Sequence, residues 1–563
     1  MNLFSSIQSA VIQRFPELEA ELFNFQPTPE HQPGDVGLAC FTFAGILLRS
    51  PQEIAREIAR LNFPAGIVRI DAAGPYINFT IERSVFAADL VRDILERGAR
   101  FGSDNRGAGR RALLEHTSIN PNASPHIGRA RNGLIGDSLA RLLRFVGYEV
   151  DVHYIVNDMG KQIALLVLET EGISDLKFHE VLDLYVRANS HAVSDPGFEA
   201  RGLDLLMRME RGDPEVRERF RTVVDICLAG QLAILSRLGL SYDTFDHESS
   251  FLTDPRMDTA LSVLEERGAL FTDDQGRKVA DLAKLGYGRE EGRYVVLVRA
   301  NASSMYMYRD IAYTLEKIER AQGLNLVVLG EDHKMYFEQL EMIVRAMGKT
   351  PPEAVHYSYI LLREGKMSTR QGNVVLLEDF LDEAIRRARG KVDGQWPEIP
   401  ENDRADIARA IGIGAVRFAI LSVRPNRNVI FDWDTALSFT GDSGPYIQYS
   451  CTRIASILRK HGAVPGRVER PLRMTHDAEW SLMFRLAFVE NDIGAALDTR
   501  NPSIVANTAL DIARRFSVFY RECPVLGADD PDIRESRLLL CVAARQVLVN
   551  LLGLLGIEAP ERM

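Results

Sequence analysis

The stretch from residue 111 to residue 156 constrains the fold more than any other part of this chain. A β-rich run over 111–118 leads into a loop with Pro121 and Pro125, and a helical pattern follows to Arg144, closed by Gly147. Its apolar face is Ala130, Leu134, Ile135, Leu139, Leu142 and Leu143. A second strand-like run covers 148–156. Strand, helix and strand in that order form a parallel βαβ unit, the building block of a sheet covered by helices.

The remainder of the chain fits around that unit. Residues 165–290 are mostly helical by period and rich in charge, and they separate it from later sheet-like runs at 294–298, 324–329 and 357–362. An insertion splitting one nucleotide-binding fold is the economical reading. Ahead of it, helix-like segments (50–61, 83–97) alternate with strand-like ones (66–71, 76–81), the pattern of a small α+β domain. A turn-rich linker, 101–109, follows. Beyond residue 438 the pattern is wholly helical. The expected architecture is a Rossmann-like α/β core over 106–437 with a helical insertion at about 165–290. An N-terminal α+β domain (1–105) and a C-terminal all-α helical bundle (438–563) flank it.

Composition excludes several alternatives. The net charge of −11 argues against a protein that holds nucleic acid through a strongly basic overall field. The excess lies wholly in residues 1–440, with 52 basic against 63 acidic residues; residues 441–563 carry 15 of each. The C-terminal part is the less acidic face to offer a polyanion. Five separated cysteines, with no CxxC pair, indicate neither a zinc knuckle nor a disulfide framework and fit a reducing cytoplasm. Ile7, Val11, Phe15, Leu18 and Leu22 give the N-terminus an amphipathic helical period, and its glutamates do not suit a targeting peptide. Arg545, Gln546 and Asn550 interrupt the longest apolar stretch, 538–557, which reads as a buried bundle helix and not as a membrane span.

Two loops carry the chemistry. Pro125, His126, Ile127, Gly128 and Arg129 open the first helix, where unsatisfied backbone N–H groups and the positive end of the helix dipole favour a phosphate. His126 can donate to a phosphoryl oxygen, Gly128 leaves room for a flat base, and Arg129 adds fixed charge. The second loop, residues 365–373, is Gly-Lys-Met-Ser-Thr-Arg-Gln-Gly-Asn. Lys366 and Arg370, on a glycine-bounded turn, suit a group that closes over a triphosphate and neutralises departing pyrophosphate.

The two loops together resemble the HIGH and KMSKS motifs of class I aminoacyl-tRNA synthetases. Further segments resemble the arginyl-tRNA synthetases of that class: residues 115–122 (EHTSINPN), 306–313 (YMYRDIAY), 445–460 and the ending 553–563. The resemblance implies ATP and Mg²⁺ as cofactors, with Pro125, His126, Gly128, Lys366, Met367 and Ser368 around ATP. It implies L-arginine and tRNA(Arg) as substrates, joined through an adenylate, with no membrane, DNA or resident metal involved. A cytoplasmic monomer whose arginine activation depends on bound tRNA is the expected state.

A guanidinium presents five donors and no acceptor, so its pocket needs carboxylates and carbonyl oxygens. Asp310 is the candidate for it. Tyr306 lies one helical turn away and shapes the same pocket. A salt bridge from Asp310 to Arg309 or Lys317 is the alternative. By the resemblance Glu115 and Asn120 hold the substrate ammonium and neighbouring polar groups. Glu331, where relatives often carry glutamine, pairs with either the substrate cation or Lys334.

The resemblance also marks Tyr446, Tyr449, Tyr520 and Met563 as anticodon contacts, since unpaired bases need faces to stack on. Tyr520 has a packing alternative. Asn78, in a segment like the family's tRNA-elbow domain, is a candidate, although the turn at 73–75 leading into a strand explains most of that segment structurally. Arg129 stands where the motif has histidine, so proton switching there is excluded. Thr369 stands where it has lysine, a lysine that arginyl enzymes often lack, and Arg370 is the obvious substitute.

Overall fold

The computed structural model describes residues 3–29, 31–63, 66–301, 303–363, 375–462 and 466–563, and its contacts divide the chain into two units. The first comprises residues 1–102, 450–489 and 511–550. Its N-terminal part is a four-stranded antiparallel sheet in the order Phe25–Pro27, Val36–Ala39, Tyr76–Ile81, Ile67–Ala73. Gly74, at φ +62°, makes the turn between the last two strands in sequence. Helices Leu3–Arg14, Pro51–Ile58 and Arg83–Arg97 belong to the same part. Ser50 and Glu53 close a capping box around Pro51, which fixes the start of the second of these helices. Phe4, Ile7, Val11 and Phe79 form a core that also takes in Trp480 and Phe488. The expected α+β pattern is present.

The second unit, residues 103–449, 490–510 and 551–563, holds the split α/β fold. Its parallel sheet has five strands: β1 (Arg111–Glu115), β2 (Glu149–Val156), β3 (Thr244–His247), β4 (Leu324–Gly330) and β5 (Glu353–Tyr357). Helix α1 (Ile127–Phe145) joins β1 to β2, α2 (Tyr306–Ala321) precedes β4, and α3 (Lys334–Ala346) joins β4 to β5. The spatial order is β3-β2-β1-β4-β5. That is the doubly wound order, in which the connections leave β1 and β4 in opposite directions. A crevice opens at the carboxyl ends of those two strands.

Three sequence expectations change. Residues 294–298 do not join the parallel sheet; strand Tyr294–Val298 pairs antiparallel with Lys278–Asp281, which pairs in turn with Leu270–Thr272. The link between the first two runs from Leu282 to Arg293 through a 3₁₀ turn, sufficient for an antiparallel return and short for a helical crossover. The strand that does extend the sheet is β3, whose sequence Thr-Phe-Asp-His has no apolar run to announce it. The run at 357–362 is divided: β5 ends at Tyr357, and Ile360–Leu362 pairs with Val429–Phe431.

The insertion is helical over Lys161–Glu169, Phe178–Ser194, Pro196–Glu210 and Pro214–Ser236. Beyond residue 438 the described chain is helical, as expected, through Gly444–His461, Asp477–Leu486, Val489–Asp498, Ser503–Glu522 and Pro531–Leu554. The last of these is long and apolar enough to cross a membrane, and 72% of its most apolar window is buried inside the protein.

Candidate active site

His126 is the N-cap of α1, extended at φ −89° and ψ 158°. Its imidazole folds over the first turn, where a Cβ on Gly128 would lie 2.9 Å from both Nδ1 and Cε1. The space that the glycine keeps is thus taken by the histidine ring and not left for a base. Burial, helped by the nearby Arg129, lowers the His126 pKa to about 4. At neutral pH the ring is an uncharged donor, and Arg129 carries the positive charge at this helix end. The backbone of the motif is fixed from the far side: Leu377 N–H donates to the Pro125 carbonyl at 2.8 Å and Ile127 N–H to the Val375 carbonyl at 3.2 Å. Lys366, Met367, Ser368, Thr369 and Arg370 lie outside the described residues, but the residues just after that segment are bonded to the first motif.

Between the carboxyl ends of β1 and β4 lies a cavity of about 1040 Å³. Arg129 and Asn132 of α1 contribute to its wall, as do Tyr306, Asp310, Tyr313 and Lys317 of α2. Leu206, Met207 and Glu210 from the helical insertion line it as well. Asp310 accepts a hydrogen bond from the Tyr336 hydroxyl at 2.7 Å. The Tyr336 ring in turn lies 5.2 Å from that of Tyr306.

Neither alternative ion pair of Asp310 forms. Arg309 is paired with Glu248 at 2.7 Å and Lys317 with Glu115. Loss of hydration raises the Asp310 carboxyl above the usual range, against the pull of Lys317 and the Tyr336 hydrogen bond. A carboxylate held with so little compensation favours an incoming cation.

The other candidates divide. Glu115 lines the cavity with Lys317 already on its carboxylate. Asn120 lines it too, its carbonyl oxygen Oδ1 accepting from Asn157 at 2.7 Å. Glu331 requires correction. It is absent from the cavity wall, and its carboxylate accepts from the Ser358 hydroxyl at 2.7 Å. Asp332 and His333 face the cavity in its place, because the 3₁₀ turn Glu331–His333 rotates successive side chains apart.

Sequence reasoning missed what holds this geometry. Strand β1 stops at Glu115, short of the expected residue 118, because Thr117 (φ +73°) and Ser118 (φ +44°) turn left-handed. Asn132 secures the turn, accepting from Thr117 N–H at 2.6 Å and donating to the Val328 carbonyl of β4 at 2.9 Å. No sequence rule puts a β-branched residue at positive φ. Such strain persists where the surroundings over-determine it.

The expected RNA contacts fall in both units. Asn78 needs correction: it is 1% exposed and donates to Gln32 at 3.3 Å, packed under the Gly34 turn, so its amide is not presented to a partner. Tyr520, in the first unit, is 42% exposed, with the Arg453 guanidinium 4.9 Å from its ring centre. That decides its alternative in favour of the surface. In the second unit Tyr446 is half-buried, Tyr449 packs near Trp396 and Phe439, and Met563 packs on the same cluster. Trp396 and Phe439 were not singled out from sequence, since only the fold brings them to Tyr449.

Family models match along the chain: the arginyl-tRNA synthetase N-terminal domain over residues 1–81, the catalytic domain of class I tRNA synthetases (R) over 91–433, and the DALR anticodon-binding domain over 447–563. Among similar proteins, the arginine–tRNA ligase of Methanocella arvoryzae is 38% identical over 95% of both chains. That of Methanopyrus kandleri is 39% identical over 91% of this chain and 89% of its own. The arginyl-tRNA synthetase of Thermus thermophilus superposes with a TM-score of 0.84 at 27% identity, covering both chains fully. The Plasmodium falciparum enzyme shares the fold at 18% identity with a TM-score of 0.77, over 100% of this chain and 98% of its own. With a doubly wound core, a carboxylate-bearing crevice at its switch point and these likenesses from end to end, the chain belongs to the arginyl-tRNA synthetase family.

Proposed function

We propose that this chain ligates L-arginine to tRNA(Arg) at the expense of ATP, through an arginyl-adenylate, in the cavity between β1 and β4. The observation that carries the reading is Asp310, a weakly compensated carboxylate on the wall of a cavity that Arg129 of the first motif also lines. Asp310 takes the guanidinium, with Tyr306 and Tyr336 as its aromatic wall. Glu115, with Lys317, and Asn120 face the substrate ammonium and neighbouring polar groups.

ATP lies along the first turn of α1. The neutral His126 donates a hydrogen bond to phosphate there, and Arg129 supplies charge that does not vary with pH. Lys366 and Arg370 stabilise the departing pyrophosphate, whose developing charge is the main thing the enzyme has to bind more tightly than the ground state. The terminal ribose hydroxyl of the tRNA then attacks the carbonyl carbon, AMP leaves, and no protein nucleophile is consumed.

Mg²⁺ accompanies ATP as a phosphate counter-charge. Among the described residues no group of three or more His, Cys, Asp or Glu side chains is arranged to hold a metal of its own. Residues 1–105 serve the tRNA elbow and 438–563 the anticodon, with Tyr446, Tyr449, Tyr520 and Met563 as contacts. The working state is a cytoplasmic monomer.

The test is charging of tRNA(Arg) with labelled arginine, with pyrophosphate exchange measured in the presence and absence of tRNA. Charging together with tRNA-dependent exchange is expected. Intact tRNA binding without charging would show a protein that has lost the chemistry.

A further inference from the structure

We propose that His153 is a positioning residue for arginine: clamped as a cation between Asp151 and Asp246, it fixes a buried carboxylate that orients Tyr313 and the Lys317–Glu115 pair. The inference rests on reading the cavity as the arginine pocket.

In the parallel register Glu115 on β1 lies beside His153 on β2, and Ile155 on β2 lies beside Asp246 on β3. Side chains alternate along strands, so Glu115, His153 and Asp246 share one face of the sheet. Tyr313, Lys317 and Arg320 of α2 meet them there. His153 is fully buried. Its Nδ1 lies 2.6 Å from Asp246 Oδ2 and its Nε2 3.0 Å from Asp151 Oδ2.

Only Nδ1 is hydrogen-bonded; Nε2 lies beside the Asp151 carboxylate without hydrogen-bond geometry, so what favours the imidazolium is a carboxylate within 3.0 Å of each ring nitrogen. Burial opposes that charge, and the two aspartates outweigh it, so the His153 pKa is raised.

From Asp246 the arrangement runs to the substrate wall. Asp246 accepts from the Tyr313 hydroxyl and from Arg320, each at 3.1 Å. The face of the Tyr313 ring carries the Lys317 ammonium 4.4 Å from its centre, and Lys317 is paired with Glu115. Glu115, Tyr313 and Lys317 all line the cavity, while His153 does not.

The charges match in sequence. Lys317 answers Glu115, His153 and Arg320 answer Asp246, and Arg309 answers Glu248. Asp310, with the Tyr336 hydroxyl on it, is left for the incoming guanidinium. Once His153 is neutral, Asp246 keeps, among the described residues, Arg320 as its one paired cation beneath the pocket. It then draws Arg320 and the Lys317 ammonium toward itself and loosens the set.

The experiment compares the full-length wild type with His153→Gln and Tyr313→Phe, measuring the KM for arginine, the KM for ATP and kcat in tRNA charging from about pH 6 to pH 9. In the wild type the arginine KM rises with pH as His153 gives up its proton. His153→Gln is expected to raise the arginine KM about tenfold at every pH, to lose that pH dependence and to leave the ATP KM within about twofold. Tyr313→Phe cuts the link without removing a charge, and is expected to raise the same KM about fivefold and to flatten its pH profile.

An arginine KM within about twofold of wild type, an equal rise in both KM values, or an unchanged pH dependence overturns the proposal. If His153→Gln does not fold, the Tyr313→Phe profile decides alone. Failure of the wild type itself to charge arginine would instead refute the reading of the cavity.

Discussion

Replacing Asp310 by Asn tests the specificity argument most directly. The variant keeps an oxygen to accept from Tyr336, now at 2.7 Å, and removes only the charge. Hydrogen bonds between charged groups contribute about 1.5–3 kcal/mol net, and truncating one partner of a desolvated pair costs about 2–5 kcal/mol. A loss of about 3 kcal/mol corresponds to a rise in the arginine dissociation constant of about 150-fold. Calorimetric titration with arginine, and the arginine KM in charging, both read this.

Stability should move the other way. Burial raises the Asp310 carboxyl above its ordinary value, so the folded state takes up a proton more readily than the unfolded one. The stability linked to that proton is fully present below the ordinary aspartate range and is lost as pH rises through the raised value. At neutral pH the wild type therefore bears the cost of an ionised, poorly hydrated carboxylate, and Asp310→Asn does not. Its thermal midpoint at pH 7 is expected at or above that of the wild type, with the difference shrinking toward acid. An arginine affinity changed by less than about fivefold, or a midpoint clearly below wild type at neutral pH, would refute the assignment.

Gly128→Ala brings a Cβ within 2.9 Å of the His126 ring; the ring must rotate off the helix start, and the ATP KM is expected to rise about tenfold with the arginine affinity of the free enzyme unchanged. The buried Arg417 guanidinium contacts Asp137 and donates to the Leu555 carbonyl at 2.7 Å, so Arg417→Met leaves the buried Asp137 with Arg141 as its remaining cation and the carbonyl without its donor, and should cost about 3 kcal/mol in urea denaturation at neutral pH. Burial pushes the Asp137 carboxyl up, and Arg417 and Arg141 together more than reverse it. The wild type accordingly loses this contribution as pH falls through the depressed value, and the gap to the variant narrows in acid. Tyr520→Ala removes an exposed ring beneath Arg453 and is expected to raise the tRNA KM about tenfold, consistent with about 1–3 kcal/mol for a stacked base, with the ATP and arginine KM values unmoved. An unchanged tRNA KM would return Tyr520 to an ordinary surface role.

Local rules carried the sequence a long way. Apolar periodicity located α1, and the α+β pattern marked the N-terminal domain, because both depend on spacing within one segment. The helix start proposed for phosphate stood out in the sequence for the same reason: His126, Gly128 and Arg129 are neighbours in the chain. Asp310 was proposed through a segment resemblance and through the donor chemistry of a guanidinium.

Tertiary structure decided whatever depends on partners distant in sequence. It placed β3 in the sheet although Thr244–His247 has no strand signature, and it sent residues 294–298 to a different sheet. It turned Glu331 to Ser358 and enclosed Asn78. It also settled which cation answers which carboxylate: Lys317 goes to Glu115, 202 residues away, while Asp310 accepts from the Tyr336 hydroxyl. Short-range spacing fixes which face of a helix a residue occupies. The charge a residue meets there depends on closure of the fold, because the penalty for an unpaired ion arises only when water has been excluded.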